Sequence, residues 1–268
     1  MRIENSNYSV CTNNQPPRRI PNRWMKKIND TFERCNPGNK ITITNPNLSH
    51  EIEYNGKDTA FVYKKTKNKI TGEIEKIKFE VGVGKKRMES ITTYYLFDKK
   101  SKKEIGWFQI NDWGKTQKKP HIYEILKNES LELDYPEEGL FGDRISIEYL
   151  KNNYPEEYCG IGEACDQIAI EYCLKESITP QIISEADPKS IIAHYKRGRR
   201  FLPATKNSKE YIEEFGTNDI NKIIEKRIKE TPHGEDIYCE DLGIPTMYMP
   251  KEVVAKYLER IKENPILH

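Results

Sequence analysis

Glu157-Tyr-Cys-Gly-Ile-Gly162 stands between an apolar run at 143–150 and an amphipathic stretch at 162–176. A glycine-rich turn that joins a strand to a helix start can hold a phosphate with main-chain N–H groups alone. No other segment points so directly at ligand chemistry. A dinucleotide-binding turn would need a third glycine at position 165, where Cys165 stands. A Gly-x-Ser-x-Gly elbow and a P-loop are absent. The five histidines, at 50, 121, 194, 233 and 268, are scattered without metal-ligand spacing. Six cysteines, at 11, 35, 159, 165, 173 and 239, form no Cys-x-x-Cys pair, so reduced thiols and no metal are expected.

The chain has 268 residues, enough for one large domain with an extension. A hydrophobic fraction of 36% and a charged fraction of 32% predict a soluble protein with a heavily charged surface. No apolar run reaches the roughly 20 residues of a membrane span, and Met1-Arg-Ile-Glu-Asn-Ser-Asn7 lacks a secretion signal's apolar core. The expected compartment is the cytoplasm. Charge is nearly balanced, 44 basic against 42 acidic residues, which argues against a nucleic-acid binder. The lysine clusters at 85–87, 99–103 and 115–119 read as solvated turns.

Period-two patterns predict strands at 41–45, 59–65, 75–83, 91–98 and 104–112. Before them, residues 1–20 read as a loose arm, and Trp24, Ile28, Phe32 and Cys35 fall at helical spacing. The stretch 113–141 has no clear pattern and is long enough for a functional loop, where Trp113 and Tyr123 could line a binding site with Trp107. Strand 143–150, helix 162–176, strand 180–186 and helix 188–197 then follow, an order that implies parallel pairing with a right-handed crossover. In the first of these helices Cys165, Ile168, Ala169, Tyr172 and Cys173 form the apolar stripe, with Asp166, Gln167 and Lys175 outside it. Asp187 caps the second helix and Gly198 suits its left-handed exit. Asn218 caps a helix carrying Ile220, Ile223, Ile224 and Ile228. A last strand near Thr246–Met249 precedes a helix from Pro250. The domains expected are an arm and helix over 1–55 and a main domain over 56–268, with an inserted helix near 208–230 and a C-terminal helix.

This order resembles the GNAT superfamily of acetyl-CoA-dependent N-acetyltransferases. Glu157-Tyr-Cys-Gly160-Ile-Gly162 is similar to its Gln/Arg-x-x-Gly-x-Gly/Ala motif, and His194-Tyr-Lys-Arg-Gly198 resembles its helix end. The resemblance covers roughly residues 90–202 with a strand near 246. It implies an α/β (α+β) fold with a mixed, mostly antiparallel sheet, a splayed parallel strand pair and flanking helices. It implies acetyl-CoA as co-substrate and an unidentified primary amine, on a small molecule or a protein, as acceptor. The amides of Tyr158, Cys159, Gly160, Ile161, Gly162 and Glu163 would hold the pyrophosphate, and the strand edge at Tyr149, Leu150 and Lys151 the pantetheine. His194, or Tyr195 with the register shifted by one, would protonate the departing thiolate, and Glu148 would act as base. Strand alternation places Ser146, Glu148 and Leu150 on one face, with Ile145, Ile147 and Tyr149 on the other. The usual Gln or Arg is Glu157 here, and Glu163 and Asp166 add negative charge beside the proposed diphosphate. Those side chains must turn away or be compensated, with Lys196, Arg197, Arg199 and Arg200 as candidates. The alternative is a non-catalytic binding or interaction module on the same scaffold. A third possibility is nucleic-acid contact by the lysine-rich hairpin tips.

Overall fold

The computed structural model describes residues 39–45, 48–112, 145–176, 182–203, 208–231 and 237–268. The chain divides into two compact units, Met1–Pro37 and Gly38–His268, and the described residues belong to the second. The expected helix at 24–35 and the 113–141 stretch lie outside the described residues.

Six strands come first: β1 (Asn39–Asn45), β2 (Leu48–Tyr54), β3 (Thr59–Lys67), β4 (Ile74–Met88), β5 (Ile91–Phe97) and β6 (Glu104–Asp112). Then follow β7 (Ile145–Asn152), the two-residue β8 (Tyr158–Cys159), helix α1 (Ile161–Lys175) and β9 (Ile182–Glu185). Helix α2 (Ile191–Lys196), β10 (Arg200–Phe201), α3 (Ser208–Phe215), α4 (Ile220–Glu230), β11 (Thr246–Tyr248) and α5 (Lys251–Glu263) complete the order. The expected 55/56 boundary falls in the loop between β2 and β3.

All eleven described strands join one sheet in the order β1-β2-β4-β5-β6-β7-β9-β11-β10, with β3 on β4 and β8 on β3. Every ladder is antiparallel except β7 with β9. The fold is therefore the mixed α+β class expected, with one parallel pair inside a mostly antiparallel sheet. The strand at Leu48–Tyr54 had no counterpart in the sequence reading. Its run Leu-Ser-His-Glu-Ile-Glu-Tyr buries only Ile52 fully, so little apolar alternation marks it. No helix lies between β3 and β6, and only Glu89 and Ser90 separate β4 from β5.

The main core lies between the central strands and α1, with α5 packed on the outside of α1. Phe108, Ile110 and Ile145 from the sheet meet Cys165, Ile168 and Cys173 from the helix, all fully buried. Of the expected polar side of α1, Lys175 is exposed, but Asp166 and Gln167 do not face water, and neither does Glu171. Asp166, Gln167 and Glu171 are each at most 3% exposed. The C-terminal segment satisfies two of them: Gln167 donates to the Asn264 carbonyl, and Glu171 accepts from the Ile266 and Leu267 amides, while Asp166 bonds Arg199. A second cluster joins Ile191 and Phe201 to Ile220, Ile223 and Ile224 of α4 and Met247 of β11.

Two helix caps shift. Asp187 accepts from the Lys189 amide and closes a turn before α2, whose N-cap is Ser190. Asp219, rather than Asn218, caps α4 by accepting from the Asn221 amide at 3.0 Å. Gly198 does take the left-handed exit from α2, with φ 92°. No described helix is long and apolar enough to cross a membrane.

Candidate functional site

Strand β7 pairs with β9 only at Ile145↔Ile182, Ser146↔Ile183 and Ile147↔Ser184. From Glu148 to Asn152 it continues beside β6, with no strand of the described residues on its other edge. The register with β6 jumps at the same place, from Ile110↔Ile147 to Gln109↔Tyr149, leaving Glu148 as the extra residue of a β-bulge. A bulge bends its strand and raises the local twist. The parting of β7 from β9 therefore has a local cause at Glu148.

The bulge also overturns the expected alternation. An added residue moves everything after it to the opposite face. Tyr149 sits across from Gln109 and near Trp107, on Ser146's side, and Leu150 sits across from Phe108, on Ile147's side. Glu148 is exposed and accepts from Ser146 Oγ and from Asn111 Nδ2. Tyr149 is 63% exposed and Leu150 37%. Among the described residues, the edge of β7 beyond Ile147 pairs with no strand except β6.

After β7 the chain crosses to β3, and this narrows the expected amide cradle. The Tyr158 amide donates to the Tyr154 carbonyl, and Tyr158 and Cys159 pair with Lys64 and Tyr63. Those two residues serve the sheet. Gly160 then turns with φ 83° and ψ 0°, a left-handed conformation that glycine adopts without steric cost, and packs against the Tyr63 ring. Helix α1 begins at once, without a side-chain cap, and its first main-chain bond runs from Ala164 to the Gly160 carbonyl. The amides of Ile161, Gly162 and Glu163 are therefore the helix's unpaired donors at its positive end.

The space over them is not vacant. A Cβ on Gly162 would lie 2.0 Å from Arg197 Nη1, so that guanidinium rests on the helix start. Arg197 Nη2 lies 2.6 Å from His194 Nδ1, and Nε lies 3.5 Å from Asp166 Oδ2. Guanidinium can only donate, so His194 Nδ1 accepts and the imidazole is neutral. Burial, then the Arg197 and Arg199 charges, hold the His194 pKa down at about 3. His194 therefore carries no proton to give as an imidazolium near neutral pH. Tyr195 points elsewhere: its hydroxyl donates to Glu225, its ring packs in the second cluster beneath Arg200, and burial and that bond push its pKa up to about 12. Among the described residues no hydrogen bond or ion pair joins either residue to Glu148.

The three acidic side chains feared at the elbow are each disposed of. Glu157 turns to Lys103 at 3.5 Å. Glu163 meets Arg260 at 3.6 Å. Asp166, 2% exposed, bonds Arg199 at 2.6 Å and Arg197 more loosely. Of the four candidate cations, Lys196 and Arg197 line a cleft of about 320 Å³ beside the helix start. Arg199 is buried on Asp166, and Arg200 donates to the Arg199 carbonyl. The cleft's other wall is α5, which contributes Lys256, Tyr257 and Arg260. None of the three was expected at the site, although 253, 256, 257 and 260 fall at the spacing of one helix face. Among the described residues no group of three His, Cys, Asp or Glu could hold a metal. Cys159 is partly buried, while burial raises the Cys165 thiol well above its ordinary pKa and pushes Cys173 up to about 12.

No family model matches the chain, and no curated protein matches its sequence. Among solved structures it is similar to the crystal structure of malonyl-CoA decarboxylase from Rhodopseudomonas palustris, at 10% identity and a TM-score of 0.31. The match covers 65% of this chain and 50% of that one, so it spans half the length of that structure's chain.

Proposed function

We propose that this chain is an acyl-CoA-dependent N-acyltransferase, moving an acetyl group from acetyl-CoA to a primary amine. The observation that carries it is the end of β7–β9 pairing at Ile147↔Ser184, beside a bulged carboxylate and immediately upstream of an uncapped helix start. An extended, amide-bearing donor chain fits along the open edge at Tyr149, Leu150 and Lys151, where main-chain groups supply the hydrogen bonds. Its phosphates fall at Ile161, Gly162 and Glu163, whose amides and helix dipole favour negative charge.

Direct attack by the amine requires that it lose a proton and that the departing thiolate gain one. Glu148 is the base, acting directly or through one water from the mouth of the split. His194 is a positioning residue for Arg197 and not the acid. Tyr195 keeps its proton and remains the candidate acid, on condition that its hydroxyl exchanges Glu225 for the thiolate. Cys159 takes no covalent role, because no histidine of the described residues is bonded to it.

One observation favours a second reading. Arg197 covers Gly162, and both residues expected to act as acid are already engaged, as a non-catalytic binding module on this scaffold would allow. Thiol release from acetyl-CoA across a panel of primary amines separates the two. An amine-dependent release that falls at least tenfold in Glu148→Gln supports transfer. Saturable acetyl-CoA binding with no release by any amine supports the module.

A further inference from the structure

The β3–β4 hairpin runs on past the sheet that carries it. Strand β5 joins β4 only from Gly82 onward, and β8 joins β3 only at Tyr63 and Lys64. Among the described residues, 66–76 pair with no strand outside the hairpin, and every residue from 69 to 78 is exposed. Asn68 orders the tip. Its Oδ1 accepts from the Ile70 and Thr71 amides, its Nδ2 donates to Glu75, and its main chain bonds Gly72 and Glu73. This turn holds Ile70 95% exposed at the apex, with Ile74 68% exposed behind it.

The two faces of this ribbon differ. Phe79 and Val81 turn towards the main core, so Glu75 and Ile77 share their side, and Ile74, Lys76 and Lys78 share the other. Directly opposite partners lie on one side, which adds Lys67 beside Ile74, Lys65 beside Lys76 and Tyr63 beside Lys78. Lys65 and Lys76 are thus a like-charged cross-strand pair, which is unfavourable by itself. The carboxylate on that side of β4, Glu80, is bonded by Lys99. Lys65 Nζ donates to the Pro155 carbonyl, and Lys78 lies 3.8 Å from the centre of the Phe61 ring. Among the described residues no carboxylate forms an ion pair with Lys65, Lys67, Lys76 or Lys78. Four such ammonium groups behind an aliphatic apex match a partner that is anionic and apolar at once.

We propose that the β3–β4 hairpin is a docking arm for an anionic lipid surface. Ile70 and Ile74 enter the boundary between headgroups and acyl chains, while Lys65, Lys67, Lys76 and Lys78 meet the anionic headgroups. The dimensions agree. A strand rises about 3.3 Å per residue, so Lys76 stands about 7 Å behind Ile74, within the roughly 5–10 Å that amphipathic elements penetrate. Apolar insertion and a basic cluster are two signals that together hold a protein on such a surface. Nucleic acid fits less well. Residues 63–80 contain no arginine to read base edges, and the apex is aliphatic where bases need rings to stack on. None of these six residues belongs to the β7–β9 split or the α1 start, so the arm does not depend on the acyltransferase reading.

Co-sedimentation of the full chain with phosphatidylserine/phosphatidylcholine vesicles, and with phosphatidylcholine vesicles alone, tests this. The variants are Ile70→Asn/Ile74→Thr and Lys67→Gln/Lys76→Gln. All four positions are exposed, so both double variants should melt like the wild type. The wild type should bind the phosphatidylserine vesicles, bind pure phosphatidylcholine about tenfold less or weaker still, and weaken as salt is added. A lysine near such a surface is worth about fivefold, so the lysine variant should lose about tenfold or more. The isoleucine variant should lose a similar amount. Equal binding to both vesicle types, or none to either, overturns the docking arm. So does vesicle binding that the isoleucine variant leaves unchanged. Lysine-dependent retention of a duplex oligonucleotide without vesicle binding overturns it in favour of nucleic acid.

Discussion

Arg197 Nη2 sits 2.6 Å from His194 Nδ1, three residues earlier on the same short helix, while the same guanidinium rests on Gly162 at the start of α1. The pair links the exit of α2 to the main chain of a helix about 30 residues upstream, and it fixes the protonation state of the histidine. Arginine keeps its charge under all ordinary conditions, so the acceptor must stay neutral.

The pH dependence of stability follows with a definite sign. Unfolding returns His194 from a pKa of about 3 to its ordinary 6.5. Between those values the unfolded chain binds the extra proton, so stability falls as pH drops from about 6.5 towards 3. Above that window His194 contributes no slope. Thermal denaturation of the wild type and of His194→Gln across this range checks it: the wild type should lose more on acidification, and parallel curves would contradict a buried neutral histidine.

Gly162→Ala should displace the Arg197 guanidinium, because the added Cβ would meet its Nη1 at 2.0 Å. The obstacle is the end of a flexible side chain, so the fold should survive with a melting temperature within a few degrees. Acetyl-CoA affinity should fall, because the added methyl crowds the amides proposed to hold its phosphates. Gly160→Ala behaves differently. Its left-handed backbone costs a non-glycine residue about 1–2 kcal/mol, and the Tyr63 ring stands 3.1 Å from the new carbon. Urea denaturation should show that loss.

Asp166→Asn should be among the most damaging single changes in the molecule. It leaves Arg199, 1% exposed, as a buried charge without its partner. Breaking such a pair from one side costs about 3–5 kcal/mol. Combining it with Arg199→Met should recover much of the loss, and the difference between single and double variants measures the coupling.

The strand at Ile145–Asn152, the helix after Gly160 and the final strand at Thr246 were readable because each is local: periodicity, a glycine turn and a short apolar run announce them. The bulge at Glu148 was not. A single extra residue leaves no mark on composition, yet it exchanges the faces of Tyr149 and Leu150. The burial of Asp166, Gln167 and Glu171 was equally hidden, because it depends on α5 and the chain after it, some 90 residues away. The cleft had the same difficulty. Lys196 and Arg197 stood out beside the glycine, whereas Lys256 and Arg260 belong to a helix whose position only packing decides. The elbow's acidic character was legible, but its remedy was not, since Lys103, Arg260 and Arg199 come from three separate elements.

Thiol chemistry offers an independent check on the packing around α1. Cys165 and Cys173 are fully buried with raised pKa values. Both should resist a disulfide reagent in the native protein and react only on unfolding. Prompt modification of either would contradict the burial of the helix between sheet and α5.

The most direct test of the central claim is the melting temperature of the wild type against acetyl-CoA concentration. A ligand that binds only the native state at a hundred times its dissociation constant adds about 2.7 kcal/mol. For a domain of this size that raises the midpoint by roughly 5–10 °C. Such a rise, growing with the logarithm of acetyl-CoA concentration and absent with acetate alone, is the predicted result. A midpoint unmoved at millimolar acetyl-CoA would contradict the account.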